Sequence, residues 1–157
     1  MTFQVMLKPH HFLDIIKLYG SGLDFFLPDL KYGHNFYKVG NWVLKNPQIK
    51  IVLTRRADDV CKSCKFLKDA KCTDKIKNFI SKEEWNQIID ERILKTLNLK
   101  EGEIFTALKL CKLAIKYLDS KMIFVIWYER PVEETKKRAK YLLNGLCLYI
   151  NSGVCKR

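Results

Sequence analysis

Asp58-Asp59-Val60-Cys61-Lys62-Ser63-Cys64-Lys65-Phe66-Leu67-Lys68-Asp69-Ala70-Lys71-Cys72 is the stretch on which the reading of this chain turns. It carries neither a helical nor a strand-like apolar period, so it should be a loop folded around something. Cys61 and Cys64 form a C-x2-C pair, and Cys72 extends it to C-x2-C-x7-C. On a tight turn that spacing lets two sulfurs point at one metal centre while a third closes on it. Thiolates select zinc or iron–sulfur clusters over hard cations. Unligated cysteines ordinarily sit in apolar cores, which this polar segment does not offer. Lys62, Lys65, Lys68, Lys71, Lys75 and Lys77 surround the loop, against Asp69 and Asp74. A thiolate-bound cluster and a four-thiolate zinc site are both anionic, so the lysines suit either, and they would also suit phosphates of a nucleic acid.

Working outward, the rest of the chain reads as mainly α with a minor β component (α+β). About five helices and one or two short strands are expected in a single domain over residues 1–157, with the cysteine-rich loop at 58–77 inside it. Pro9 suits the first turn of a helix, because its missing N–H would be unpaired there, and that helix should run to about Tyr19 before Gly20-Ser21-Gly22 ends it. A second helix is expected from Asp29 to about Asn46, weakened by Gly33 and Gly40 and closed by Asn46-Pro47. The β-branched run Ile49 to Thr54 reads as a strand. Ser81 with Glu84 matches a capping box, starting a helix whose buried stripe is Trp85, Ile89, Ile93 and Leu97. Glu103 to Leu118 reads as another helix, with Cys111 on its apolar face. Met122 to Trp127 reads either as a second strand pairing with the first or as a buried helical turn, since periodicity does not separate the two. Pro131 opens a last helix to about Ile150 that buries Ala139, Leu142, Leu143 and Leu146, and Cys147 beside them reads as a buried small hydrophobe.

Three cysteines leave a metal centre one ligand short. His10 and His11 stand at the start of the first helix, and neighbouring histidines point in different directions, so at most one is expected to face the loop. Asp14 lies three residues beyond His11 and hence on the same helix face. His11, Asp14, His10 and the near-terminal Cys155 are therefore the candidates for the fourth position.

The totals narrow the function classes. A chain of 157 residues with 48% apolar and 12% aromatic residues can bury a real core and is not a disordered chain. No secretory signal and no apolar run long enough to span a bilayer is visible, so a cytoplasmic protein with no membrane association is expected. In that reducing compartment the six cysteines are not read as three disulfides. The net charge of +12 makes nucleic acid a conceivable partner, although lysines scattered over helix faces explain most of it as solubility. No serine–histidine–acid set, phosphate-binding glycine loop or paired-carboxylate motif stands out, which leaves enzyme status open.

The order of Lys8-Pro9-His10-His11-Phe12-Leu13-Asp14, then Gly20-Ser21-Gly22, then Asp58-Asp59-Val60-Cys61-Lys62-Ser63-Cys64 with Cys72 resembles a small prokaryotic family, the domain of unknown function 1284, whose members are described as iron–sulfur binding. That family's pattern runs Pro-His-His-Leu-Leu-Cys, a Gly-x-Gly turn, and Asp-Asp-x-Cys-x-x-Cys with a further cysteine. The resemblance covers about the first half of the chain and lends nothing from Ser81 onward. It implies an iron–sulfur cluster, most simply 4Fe-4S, on Cys61, Cys64 and Cys72. Asp14 stands where the family typically has a cysteine, so Asp14 would replace that ligand here, or His11 would serve instead. The expected role is redox, with a partner protein, or Lewis-acid chemistry on a small-molecule substrate. The alternative is a zinc-stabilised module binding nucleic acid or protein.

Overall fold

Gln4–Leu7 forms strand β1, with Val5 and Leu7 inward, and Pro9–Gly20 follows at once as helix α1, with the proline in its first turn. The structure, a computed structural model, describes residues 3–76 and 80–155, without the side chains of Ile80 and of residues 153–155. Helix α2, Phe36–Lys45, leads into strand β2, Lys50–Leu53. Two short antiparallel pairs come next: Leu67–Lys68 (β3) with Lys71–Cys72 (β4), and Lys75–Ile76 (β5) with Ile80–Ser81 (β6). Helix α3 is Lys82–Leu97, strand β7 is Ile104–Thr106, and helices α4, α5 and α6 are Ala107–Tyr117, Ser120–Ile126 and Val132–Cys155. The fold is mainly α, with six α-helices among the described residues. None of these is long and apolar enough to cross a membrane.

The strands exceed expectation in number but stay short. The main sheet has the order β1-β2-β7, with β1 parallel and β7 antiparallel to β2. Residues Met122 to Trp127 do not supply the second strand. Met122 to Ile126 lie in α5, the helical alternative, with Trp127 as its C-cap; Asp119 caps the start of that helix by accepting from the Met122 N–H at 2.8 Å. The helix expected from Glu103 starts at Ala107: Thr106 Oγ1 accepts from the Lys109 N–H, and the three residues before the helix pair with β2. The helix expected from Asp29 starts only at Phe36. Asp29 Oδ1 accepts from the N–H groups of Lys31 and Tyr32, closing a local turn, and Gly33 has φ of 65°, outside any helix. Cys147 is exposed rather than buried, whereas Cys111 is buried as its stripe required.

The longest helix, α6, packs along α1. A methyl group on Gly20 would collide with the Tyr141 carbonyl and the Gly145 backbone, and one on Gly145 with the Ile16 carbonyl. The two glycines let the helix backbones touch, so Gly20 is a packing residue as well as a helix end. Phe12, Leu13, Ile15 and Ile16 of α1 close over the sheet's Val5, Ile51 and Leu53 and meet Ile89, Ile93, Leu142 and Leu146 in one core.

Candidate functional site

The cysteine segment folds as a 3-10 turn, Cys61–Ser63, followed by the β3–β4 hairpin. Asp69 and Ala70 at its tip both have positive φ, 51° and 61°, the conformation of a tight two-residue turn. Cys72 pairs with Leu67 across it, so the hairpin folds the third cysteine back beside the first two. The Cys72 N–H donates to Glu83 Oε2 at 2.9 Å, tying the hairpin to α3.

Asp58, directly ahead of the turn, is the organising residue that sequence reasoning did not single out. It is buried, and its Oδ1 accepts from the N–H groups of Val60 and Cys61, both at 3.1 Å. Its Oδ2 accepts from the Lys8 N–H and from His11 Nδ1, both at 2.7 Å. One carboxylate thereby joins the start of α1 to the cysteine turn. Burial alone would raise this carboxyl, but the His11 imidazole and the bonds from His11, Lys8 and Cys61 outweigh it and hold it well below the usual range. Beside it, burial and the Asp58 charge push the Cys61 thiol up to about 12, and burial raises Cys72 as well.

His10 is held in the same way by a second carboxylate. Its Nδ1 lies 2.8 Å from Asp90 Oδ1, which also accepts the His10 backbone N–H, and Asp90 is wholly buried. Burial alone would lower His10; the Asp90 charge and hydrogen bond reverse this and raise it. Asp90 and Asn86, four residues apart on the inward face of α3, are polar groups in an apolar stripe, and that was the signal available in the sequence. The two imidazoles lie 4.3 Å apart and both line one cavity; of the two, His11 is bonded to the carboxylate that holds the cysteine turn, and His10 to Asp90 of α3.

That cavity measures about 540 Å³, inside the range of small-molecule and cofactor sites. It is lined by Cys61, Cys64 and Cys72, by His10, His11 and Asp14, and by His34, which the sequence reading passed over. All three histidines of the chain thus meet three of its six cysteines. His34 stacks on Tyr32 with an interplanar angle of 5°, and its buried Nδ1 has no hydrogen-bond partner among the described residues. Asp14 lines the cavity but is committed elsewhere: Oδ1 accepts from Arg138 Nη1 at 2.9 Å and lies 3.6 Å from Lys17 Nζ. The side chain of Cys155 lies outside the described residues.

Distances constrain what the donors can hold. Among the described residues, His11, Asp58 and Cys61 are the three whose ligand atoms all lie within 4.8 Å of one another. The three sulfurs are not such a group. Zinc–sulfur bonds of about 2.3 Å in a tetrahedron put sulfurs about 3.8 Å apart, so this spread does not suit one zinc on three thiolates. The His11–Asp58 separation of 2.7 Å is a hydrogen bond. It leaves Nε2 as the free ring nitrogen, in the carboxylate–histidine arrangement that orients metal-ligating imidazoles.

The lysines flanking the loop are partly absorbed by the protein: Lys62 pairs with Asp59, Lys65 donates to the Leu30 carbonyl, and Lys82 pairs with Asp74. Lys68, Lys71 and Lys75 remain exposed.

Residues 29–126, more than half of the chain, match the family described as Protein of unknown function (DUF1284), and the chain belongs to that family. The matched region contains the whole cysteine segment and continues through α3, α4 and α5, well past Ser81, while the Lys8–Asp14 stretch lies before it. No curated protein and no solved structure matches the chain.

Proposed function

We propose that this DUF1284 member binds an iron–sulfur cluster of the 4Fe-4S type through Cys61, Cys64 and Cys72, with His11 Nε2 as the fourth ligand. The observation that carries the reading is the convergence of those three cysteines and the carboxylate-held His11 on one cavity. His34 also lines this cavity, adding a third imidazole to its wall. His11 is preferred to Asp14, whose carboxylate is engaged by Arg138 and Lys17. Bound there, the cluster would supply one-electron transfer, or a Lewis-acidic iron at its non-cysteine corner. The protein's part is to fix the His11 tautomer through Asp58 and to hold the cysteine turn rigid through the Val60 and Cys61 N–H bonds. A cytoplasmic setting would keep the thiols reduced for ligation, and the partner would be a redox protein or a small-molecule substrate.

A second reading has its own observation. His11, Asp58 and Cys61 are close enough to hold a single zinc ion, provided the His11–Asp58 hydrogen bond opens. Anaerobic purification separates the two. The cluster reading expects brown protein with about four iron and four acid-labile sulfide per chain, lost on Cys64→Ser. Colourless protein with one tightly held zinc, retained in Cys64→Ser, would replace it with the second reading. Metal content independent of both Cys61 and Cys64 would end both.

A further inference from the structure

Lys8 is 1% exposed, one of the most deeply buried large side chains in the molecule, and it lines the cavity. The other cations of the cavity wall have carboxylate partners. Lys82 pairs with Asp74, Arg130 with Glu134, and Arg138 and Lys17 share Asp14. Among the described residues the Lys8 ammonium has no hydrogen-bond or ion-pair partner; only its backbone N–H is used, on Asp58. Lys8 Nζ is not one of the fully enclosed unpartnered atoms among the described residues, so the ammonium opens on the cavity, and a cation there without a counter-charge attracts an anion.

We propose that Lys8 is the floor of a binding site for a small oxyanion, of carboxylate or phosphate size, lying between His10 and the cysteine loop. Lys8, His10, Cys61 and Cys72 line the same cavity. His10 Nδ1 is occupied by Asp90, so the free edge of its ring is Nε2, available to the same ligand. Away from the cysteines the cavity continues to Trp127 and to Arg138, whose guanidinium lies 4.5 Å from the Trp127 ring centroid, giving room and a flat polar wall for the rest of an anionic molecule. The inference goes beyond the cluster and stands whether or not the cysteine loop carries one. If the cluster is present, the oxyanion site lies beside it and identifies the substrate class as small anions.

The test is calorimetric titration of the full chain with inorganic phosphate and with oxalate, on metal-free protein and on protein reconstituted anaerobically with iron and sulfide. One saturable site is expected in both forms. Lys8→Met should weaken it about tenfold or more, while Lys112→Met, an exposed charge on α4, should leave it unchanged. Melting supplies a second measurement. Lys8→Met should melt higher than the native protein in the absence of anion, because an unpaired buried charge is gone. Added phosphate should raise the melting temperature of the native protein only. Equal binding by Lys8→Met, or no saturable site in either form, would overturn the proposal. Binding confined to metal-free protein would overturn it too, showing that the cluster itself is the counter-charge of Lys8. Iron and sulfide analysis judges the cluster reading separately.

Discussion

Replacing Asp58 by Asn should cost both stability and metal binding, and the two losses have one cause. The carboxylate accepts four hydrogen bonds: from the Lys8, Val60 and Cys61 backbones and from His11 Nδ1. Asn keeps the shape and one acceptor oxygen. With that oxygen on the Val60 and Cys61 side, its amino group faces two donors, Lys8 N–H and His11 Nδ1–H. The backbone donor is then orphaned in a buried site, at about 1–3 kcal/mol, and a charge-assisted bond from His11 is lost as well. A net loss of about 3 kcal/mol is expected, a large share of a domain stability of about 5–15 kcal/mol. His11 can recover by moving its proton so that Nδ1 accepts from the new amide. That places the proton on Nε2 and removes the lone pair proposed to bind metal. Urea unfolding of metal-free protein reads the first effect, and iron content after anaerobic reconstitution reads the second. Asp59→Asn is the control, because its half-buried side chain accepts a single backbone bond, from Met6, and otherwise pairs with the exposed Lys62. Asp58→Asn protein within 0.5 kcal/mol of the native value, a difference below the scale of one hydrogen bond, with undiminished iron, would refute the role given to this carboxylate.

Asp14 should contribute to acid stability. Burial would raise its carboxyl, but Lys17 and Arg138 take it from 3.8 to about 2 in the folded chain. A folded value below the unfolded one gives stability that is complete above pH of about 4 and lost as pH falls toward 2; the shift corresponds to about 2.5 kcal/mol, or about 1–2 kcal/mol allowing for a side chain that is 28% exposed. Asp14→Asn should therefore flatten the decline in unfolding free energy between pH 5 and pH 2 by about that amount, and an unchanged decline would remove the pairing from the account. At the hairpin tip, Ala70 holds φ of 61°, which disfavours a side chain by about 1 kcal/mol. Ala70→Gly should stabilise the protein by about 0.5–1 kcal/mol by urea unfolding, and a destabilised variant would show that the left-handed turn is not formed in solution.

The helical part of the fold was legible where the sequence carries both a period and a cap. Ser81 accepts from the Glu84 N–H as the capping box required, and Ile89, Ile93 and Leu97 are buried beneath it. The failures fall where a cap competes with an apolar run. Asp119 and Thr106 each fix a helix start through one side-chain hydrogen bond, and neither was weighed against the β-branched residues beside it. The β3–β4 hairpin was unreadable because Asp69-Ala70 lacks the glycine that ordinarily marks such a turn. At the site, the residue types that ligate metals were legible one by one. Asp58 and Lys8 were not, because they lie outside any periodic element and their importance rests on buried partners or on the lack of one; Asp90 left one trace, a charge in the apolar stripe of α3.

The convergence of two distant motifs follows from one feature of the sheet. His11 and Asp58 are 47 residues apart in sequence, yet bonded. Strand β1 runs parallel to β2 with Leu7 opposite Leu53, so both strands end at the same edge. The chain leaving β1 becomes Lys8 and the start of α1, and the chain leaving β2 reaches Asp58 and the cysteine turn. Ligands of open sheets with parallel strands gather outside such carboxyl ends, since that is where successive connections leave the hydrogen-bonded layer together. Antiparallel pairing of β1 and β2 would have put the histidines and the cysteines at opposite ends of the sheet, whatever their side chains. Four residues, Gln4 to Leu7, too short to stand out as a strand by composition, therefore decide whether this chain has a site at all.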